Sequence, residues 1–175
     1  LTYDYMNCCD KIPQLRVDEK YLILYAYAGR ISNEEADWIA AYAKKKNLKV
    51  YAIGGIQKCA DRFVDCSPFE VLAYFRNAEE VITDTFHGSI FSVITHRPFT
   101  TLIRKSVGNS YGNEEKLSDL LERLDLADRM TAKVEDVPNK KSELFELDNW
   151  TYHYTPMGEM FACIEGEVCQ LDDEN

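Results

Sequence analysis

The sequence predicts an α/β fold, a Rossmann-like doubly wound parallel sheet, on three observations. Short, nearly continuous apolar runs recur at 21–27, 48–53, 80–83 and 99–103. Strands buried on both faces read this way, because neither face of a parallel sheet meets water. Amphipathic stretches separate these runs, and two of them open on capping sequences. Strand–helix alternation kept up over such a length places helices on both faces of one sheet.

The elements follow in order. Residues 1–20 mix polar, aromatic and cysteine residues without periodicity and form a lead-in segment. The run at 21–27, bounded by Gly29, is the first strand. Ser32 and Glu35 then make a capping box. Ala36, Ile39, Ala40 and Ala43 fall on one helical face, and Lys44, Lys45 and Lys46 suit the negative end of the helix dipole. The strand at 48–53 stops at Gly54-Gly55, and a short strand is expected near Phe63-Val64.

Ser67-Pro68-Phe69-Glu70 is a second capping box, with proline at the first helical position, and its helix runs to about Asn77. The strand at 80–83 leads into a helix over 85–96 that is apolar nearly all round, hence buried. Pro98 ends it before the fifth strand at 99–103. Asn113 is expected to cap a last helix carrying Leu117, Leu120, Leu121 and Leu124 on one face. The lobe thus spans 21–135 with five strands. Residues 136–175, rich in Phe145, Trp150, Tyr152, Tyr154, Met157, Met160 and Phe161, are read as a helical, aromatic tail.

A formal net charge of −10 argues against an electrostatic grip on nucleic acid or on an anionic membrane surface. No apolar run is long enough to span a bilayer, and no signal peptide is recognised. The six cysteines form no C-x-x-C and no zinc spacing with histidine. They are read as free thiols in a reducing cytoplasm. Gly29-Arg30 is no dinucleotide fingerprint, so no cofactor is expected, and no metal either.

In an open α/β sheet, ligands bind at the carboxyl ends of the strands. Three stretches qualify: Ala28-Gly29-Arg30, residues 84–89, and residues 104–110. The middle one places Asp84, Thr85, His87 and Ser89 at a strand-to-helix turn, with Gly88 allowing close approach. A helix N-terminus suits phosphate or carboxylate, and His87 adds a cation or moves a proton. Spacing alone leaves a plainer reading open, with Asp84 or Thr85 as a helix cap and His87 as a satisfied polar group. Ser106, Gly108, Asn109 and Ser110 read as an ordinary turn, and Arg104 as surface charge or site.

Ser67-Pro68-Phe69-Glu70, the stretch from Asn77 through Thr83-Asp84-Thr85-Phe86-His87-Gly88-Ser89 to Ser92, and Arg97-Pro98-Phe99 together resemble the polysaccharide pyruvyl transferase family. The resemblance covers roughly residues 21–129 and is most specific from 77 to 99. It implies one lobe, the C-terminal donor-binding one, of a two-lobe enzyme similar to GT-B glycosyltransferases. The implied reaction moves a pyruvyl unit from phosphoenolpyruvate to a sugar hydroxyl pair, giving a ketal. The acceptor would be a sugar or lipid-linked glycan of a cell-surface or exported polysaccharide, and an N-terminal lobe would lie outside this sequence. Within the resemblance, His87 is the catalytic donor-site residue, and Asp84, Thr85, Gly88, Ser89 and Arg104, from their place at the strand ends, are the expected substrate contacts beside it. One branch of the family has arginine where this chain has Thr85, and Arg30 or Arg104 is the expected replacement. The alternatives are a nucleotide-sugar glycosyltransferase lobe and a non-catalytic interaction domain with the same fold.

Overall fold

The computed structural model describes residues 12–105 and 112–140, and the backbone of two further strands at 150–154 and 160–164. The first apolar run forms β1 (Tyr21–Tyr25), followed by α1 (Asn33–Lys45), β2 (Lys49–Ile53) and the short β3 (Arg62–Phe63). Then come α2 (Pro68–Asn77), β4 (Glu80–Thr83), α3 (Phe86–Ile94), β5 (Phe99–Leu102) and α4 (Glu114–Arg123). Two 3-10 turns, Ala127–Arg129 and Val134–Asn139, flank β6 (Met130–Thr131).

The sheet runs β3-β2-β1-β4-β5-β6, and every pairing in it is parallel. The expected parallel sheet is therefore present, with six strands rather than five. The sixth was missed because a two-residue strand carries no periodicity. Tyr25, at the end of β1, lies beside Ile53 of β2 and Thr83 of β4. Strand order reverses between β1 and β4, which opens a crevice at their carboxyl ends.

Alternate residues of β1 face opposite layers. Leu22 and Leu24 join Ile39, Tyr42 and Ala43 of α1, Val50, Ile82, Leu102, and Val134 and Val137 of the second 3-10 turn in one core. On the other face Tyr21 stacks on Tyr51 at 4.3 Å between ring centroids, and Tyr25 meets Phe75 of α2 and Phe91 of α3. Both capping boxes form as read: Ser32 with Glu35, and Ser67 with Glu70.

Several sequence expectations need correction. Ala40 is exposed, and Tyr42 takes the buried place on α1. Lys46 does more than complement a dipole. Its Nζ lies 2.7 Å from the buried Glu80 carboxylate, which also accepts from the Tyr42 hydroxyl at 2.9 and 3.0 Å. Helix α3 is not buried all round: its covered face is Gly88, Ser89, Ser92, Val93 and Ile94, while Phe86, Ile90 and Phe91 are half-buried and His87 is exposed. Ser89 and Ser92 fit that face because each hydroxyl donates to the carbonyl four residues back. Asn113 precedes α4 but makes no side-chain cap; its amide is used elsewhere.

The chain divides into two compact units, 11–145 and a second made of 1–10 with 146–175. In the second, β7 (Trp150–Tyr154) and β8 (Met160–Ile164) pair antiparallel. The tail read as helical is strand over these residues. Trp150-Thr151-Tyr152-His153-Tyr154 is rich in aromatic and β-branched residues that favour strands, and Pro156 and Gly158 oppose a continuous helix. Residues 1–11 and 106–111, which include the Ser106–Ser110 turn expected from sequence, lie outside the described residues, as do Cys8, Cys9 and Cys169. Cys59 and Cys66 are free thiols. No helix among the described residues is long and apolar enough to cross a membrane.

The buried Glu80 carboxylate generates a stability prediction. Lys46→Met leaves it with only the Tyr42 hydroxyl, and the loss should be about 1–2 kcal/mol, below the figure for a fully buried pair because Lys46 is partly solvated. Adding Glu80→Gln should recover part of that loss. Thermal melts of the single and double variants check this, and an additive double variant would contradict it.

Candidate functional site at the strand-order reversal

At the crevice, the first turn of α3 is pressed against the ends of β1 and β4. A Cβ on Gly88 would lie 2.1 Å from Thr83 Oγ1 and 2.7 Å from the Tyr25 ring. Glycine is thus required here by the protein's own packing. The Thr83 hydroxyl donates to the Tyr25 carbonyl at 2.8 Å and accepts from the Thr85 N–H at 3.1 Å. Thr85 is the N-cap of α3: its Oγ1 accepts from the Gly88 N–H at 2.9 Å. The Ser89 hydroxyl donates to the Thr85 carbonyl and meets Thr101 Oγ1 at 2.9 Å.

The side chains of Thr85 and Ser89, expected to face a ligand, are therefore turned inward and engaged. What the turn presents outward is different. Capping by Thr85 leaves the N–H groups of Phe86 and His87 at the open end of the helix. His87 itself is exposed, with its ring centroid 6.1 Å from those of Phe86 and Phe91.

Two arginines reach the same edge. Arg30 leaves the loop after β1, and its Nη1 lies 3.6 Å from Asp84 Oδ2. Arg104 follows β5, and its Nη1 pairs with Glu35 Oε1 of α1 at 2.6 Å. Both arginine side chains are partly exposed, at 27% and 22%. Asp84 lies behind them with none of its surface exposed, and among the described residues its carboxylate makes no contact of hydrogen-bond length, Arg30 standing at 3.6 Å. Burial pushes the Asp84 carboxyl above the ordinary aspartate range, and the attractions of Arg30 and Arg104 only partly offset this. The sequence-predicted Asp84, His87 and Arg104 are thus gathered at one strand edge, together with Arg30.

The groups that hold this arrangement were not legible as site residues. Asn113 donates from Nδ2 to the Asp84 carbonyl, and its Oδ1 accepts from the Arg104 N–H at 2.6 Å, tying the ends of β4 and β5 together. Gln57 is buried and donates to the Ala26 and Tyr27 carbonyls, fixing the loop that carries Arg30. Gly55 lets the two loops touch, since a Cβ there would lie 2.2 Å from the Ala28 nitrogen. Glu35 was visible only as half of a capping box; its Oε2 serves Ser32 while Oε1 serves Arg104. Among the described residues no cluster of His, Cys, Asp and Glu is arranged to hold a metal. A groove of about 700 Å³ bounded by Lys20, Lys49 and Asp61 lies by the amino ends of β1 and β2, away from this site.

Two outcomes separate packing from presentation at this turn. Gly88→Ala should destabilise the fold by about 1–3 kcal/mol, as overpacking does, while His87→Ala, being exposed, should stay within about 0.5 kcal/mol. Denaturant unfolding of both variants measures this; equal losses would contradict it. A pH effect follows from Asp84. Because its folded-state pKa is raised, its ionisation opposes folding as pH rises from the unfolded carboxyl range through the folded one. The melting temperature of the wild type relative to Asp84→Asn should therefore fall from acid toward neutral pH. A constant difference would mean that Asp84 ionises alike in both states.

No curated protein and no solved structure matches the chain. The family model described as polysaccharide pyruvyl transferase matches residues 9–106, more than half of the chain. That span contains Arg30, Glu35, Asp84, His87 and Arg104, and the chain belongs to the polysaccharide pyruvyl transferase family.

Proposed function

We propose that the lobe described here is the donor-binding half of a pyruvyl transferase and that its donor is phosphoenolpyruvate. Membership of a transferase family supports a transferase. The observation that carries the finer reading is the convergence of Arg30, Arg104, exposed His87 and the open N-terminus of α3 at one strand edge. Phosphoenolpyruvate carries a phosphate and a carboxylate, and two arginines with a helix N-terminus suit two such groups. Arg30, approaching from the loop after β1, supplies the cation that another branch of the family places at the position of Thr85.

In the proposed reaction two sugar hydroxyl oxygens form bonds to C2 of the donor. One hydroxyl proton ends on C3, which becomes a methyl group, and the other leaves with inorganic phosphate as the C2–O bond breaks. Arg30 and Arg104 orient the donor and stabilise charge on the departing phosphate. His87 stands at the phosphate, where its imidazolium donates a charge-assisted hydrogen bond and moves a proton. The acceptor is a sugar or lipid-linked glycan, held by a second lobe in a GT-B-like arrangement, and the reaction belongs in the cytoplasm.

Calorimetric titration of phosphoenolpyruvate tests the reading. His87→Ala should weaken binding about tenfold, and Arg30→Gln or Arg104→Gln by about ten- to a hundredfold, the range for charge-assisted contacts. Binding of a nucleotide sugar in preference to phosphoenolpyruvate would overturn it in favour of a glycosyltransferase lobe. The chain alone should give no pyruvyl ketal with a mixed sugar panel, because group transfer needs both substrates held in line. Ketal formation by this chain, read by mass spectrometry, would contradict the division of labour between lobes.

A further inference from the structure

Asp84 has no part in donor contact under the reading above, yet its surroundings are unusual. It is a fully buried carboxylate whose oxygens have no partner of hydrogen-bond length among the described residues, and its ion pair to Arg30 at 3.6 Å lies beyond that length. Arg104 also acts on its charge. Arg104 is itself half-used: Nη1 serves Glu35, while Nε and Nη2 are buried with no hydrogen-bond partner among the described residues. Two cations and two carboxylates, Asp84 and Glu35, bring the formal charge of the cluster to zero before any ligand arrives.

An anion entering this cluster changes that balance. Each arginine that turns its field toward a ligand phosphate or carboxylate gives less to Asp84. A desolvated carboxylate deprived of its counter-charge is costly, and protonation is the cheapest relief available to it. Glu35 differs, because it is partly exposed and its second oxygen is held by the Ser32 N–H.

We propose that Asp84 is a proton-accepting positioning residue behind the two arginines, so that an anion binding at Arg30 and Arg104 is accompanied by uptake of a proton on the Asp84 carboxylate. The step is balanced: ligand anion and one solvent proton enter together, so the cluster's charge falls by one unit less than the ligand alone would lower it. Burial already biases Asp84 toward its neutral form, which lowers the demand on the ligand. The inference rests on the donor-site reading for the place of binding, but any anion of suitable size should produce it.

The other charged groups around this edge are assignable. His87 on α3 is exposed and faces the same edge. Lys105 pairs with Glu114 at 3.5 Å, and Lys116 of α4 lies over the Phe86 ring at 4.2 Å.

The test is calorimetry of phosphoenolpyruvate and, separately, sulfate, in buffers of different ionisation enthalpy near neutral pH. Sulfate does not titrate there, so any proton taken up belongs to the protein. The expected result is uptake approaching one proton per anion in the wild type, with affinity falling by up to about tenfold per pH unit across the titration range of Asp84. Uptake should persist in His87→Gln and vanish in Asp84→Asn, whose folding is checked by thermal melts. Uptake that vanishes in His87→Gln assigns the proton to the imidazole and overturns the proposal, even if Asp84→Asn does not fold. Phosphoenolpyruvate binding without uptake overturns it and leaves the donor reading standing. Sulfate binding with Asp84-dependent uptake, but no phosphoenolpyruvate binding, upholds it and removes the donor reading. Binding of neither anion removes both.

Discussion

The absence of a side chain at residue 88 is the constraint on which the site depends. It lets the first turn of α3 lie against Thr83 and the Tyr25 ring, at distances no Cβ would tolerate. The Thr83 hydroxyl then joins β1 to the turn, and Thr85 closes the cap. This contact decides where the helix begins and so where its open N–H groups point. It also explains why the covered face of α3 begins with the small residues Gly88, Ser89 and Ser92, where a longer apolar side chain would hold the helix away from the sheet, before Val93 and Ile94 follow.

Charge is arranged in layers around that turn. Arg30 and Arg104 stand at the partly exposed edge, with Asp84 behind Arg30 and Glu35 beside Arg104. Neither arginine is on a regular element. Their positions come from backbone ties: Gln57 and Gly55 hold the loop of Arg30, and Asn113 holds the start of the loop of Arg104. Rigid supports of this kind reduce the ordering cost of binding a small anion. The Glu80 cluster at the amino end of β4 is of another kind, with its carboxylate satisfied by Tyr42 and Lys46. Its role in the fold is structural.

Most of the fold was legible because its signals are local. Apolar runs, two capping boxes and Pro98 marked the elements from 21 to 103 within one or two residues. What escaped the sequence depended on partners far along the chain. Nothing near Lys46 shows that it reaches Glu80, and Asn113 looks like a helix cap until its amide is seen joining β4 to β5. The paired strands at 150–164 were hidden by a count of aromatics that suited helix or strand alike. At the site, the motif pointed to residues 84–89 as a group; what it did not show is that the Thr85 and Ser89 hydroxyls are engaged in capping and packing and that Gly88 lies against Thr83. The sheet rule put both arginine-bearing loops at this edge, but spacing in sequence does not say that Arg30 meets Asp84 or that Arg104 meets Glu35.

The most direct test of the account is a crystal structure of the chain grown with phosphoenolpyruvate. The account predicts donor density at the N-terminus of α3, with its anionic groups contacted by Arg30 and Arg104 and its phosphate within hydrogen-bond reach of His87. Donor density anywhere else, or a donor at this turn that leaves both arginines on Asp84 and Glu35, would contradict it.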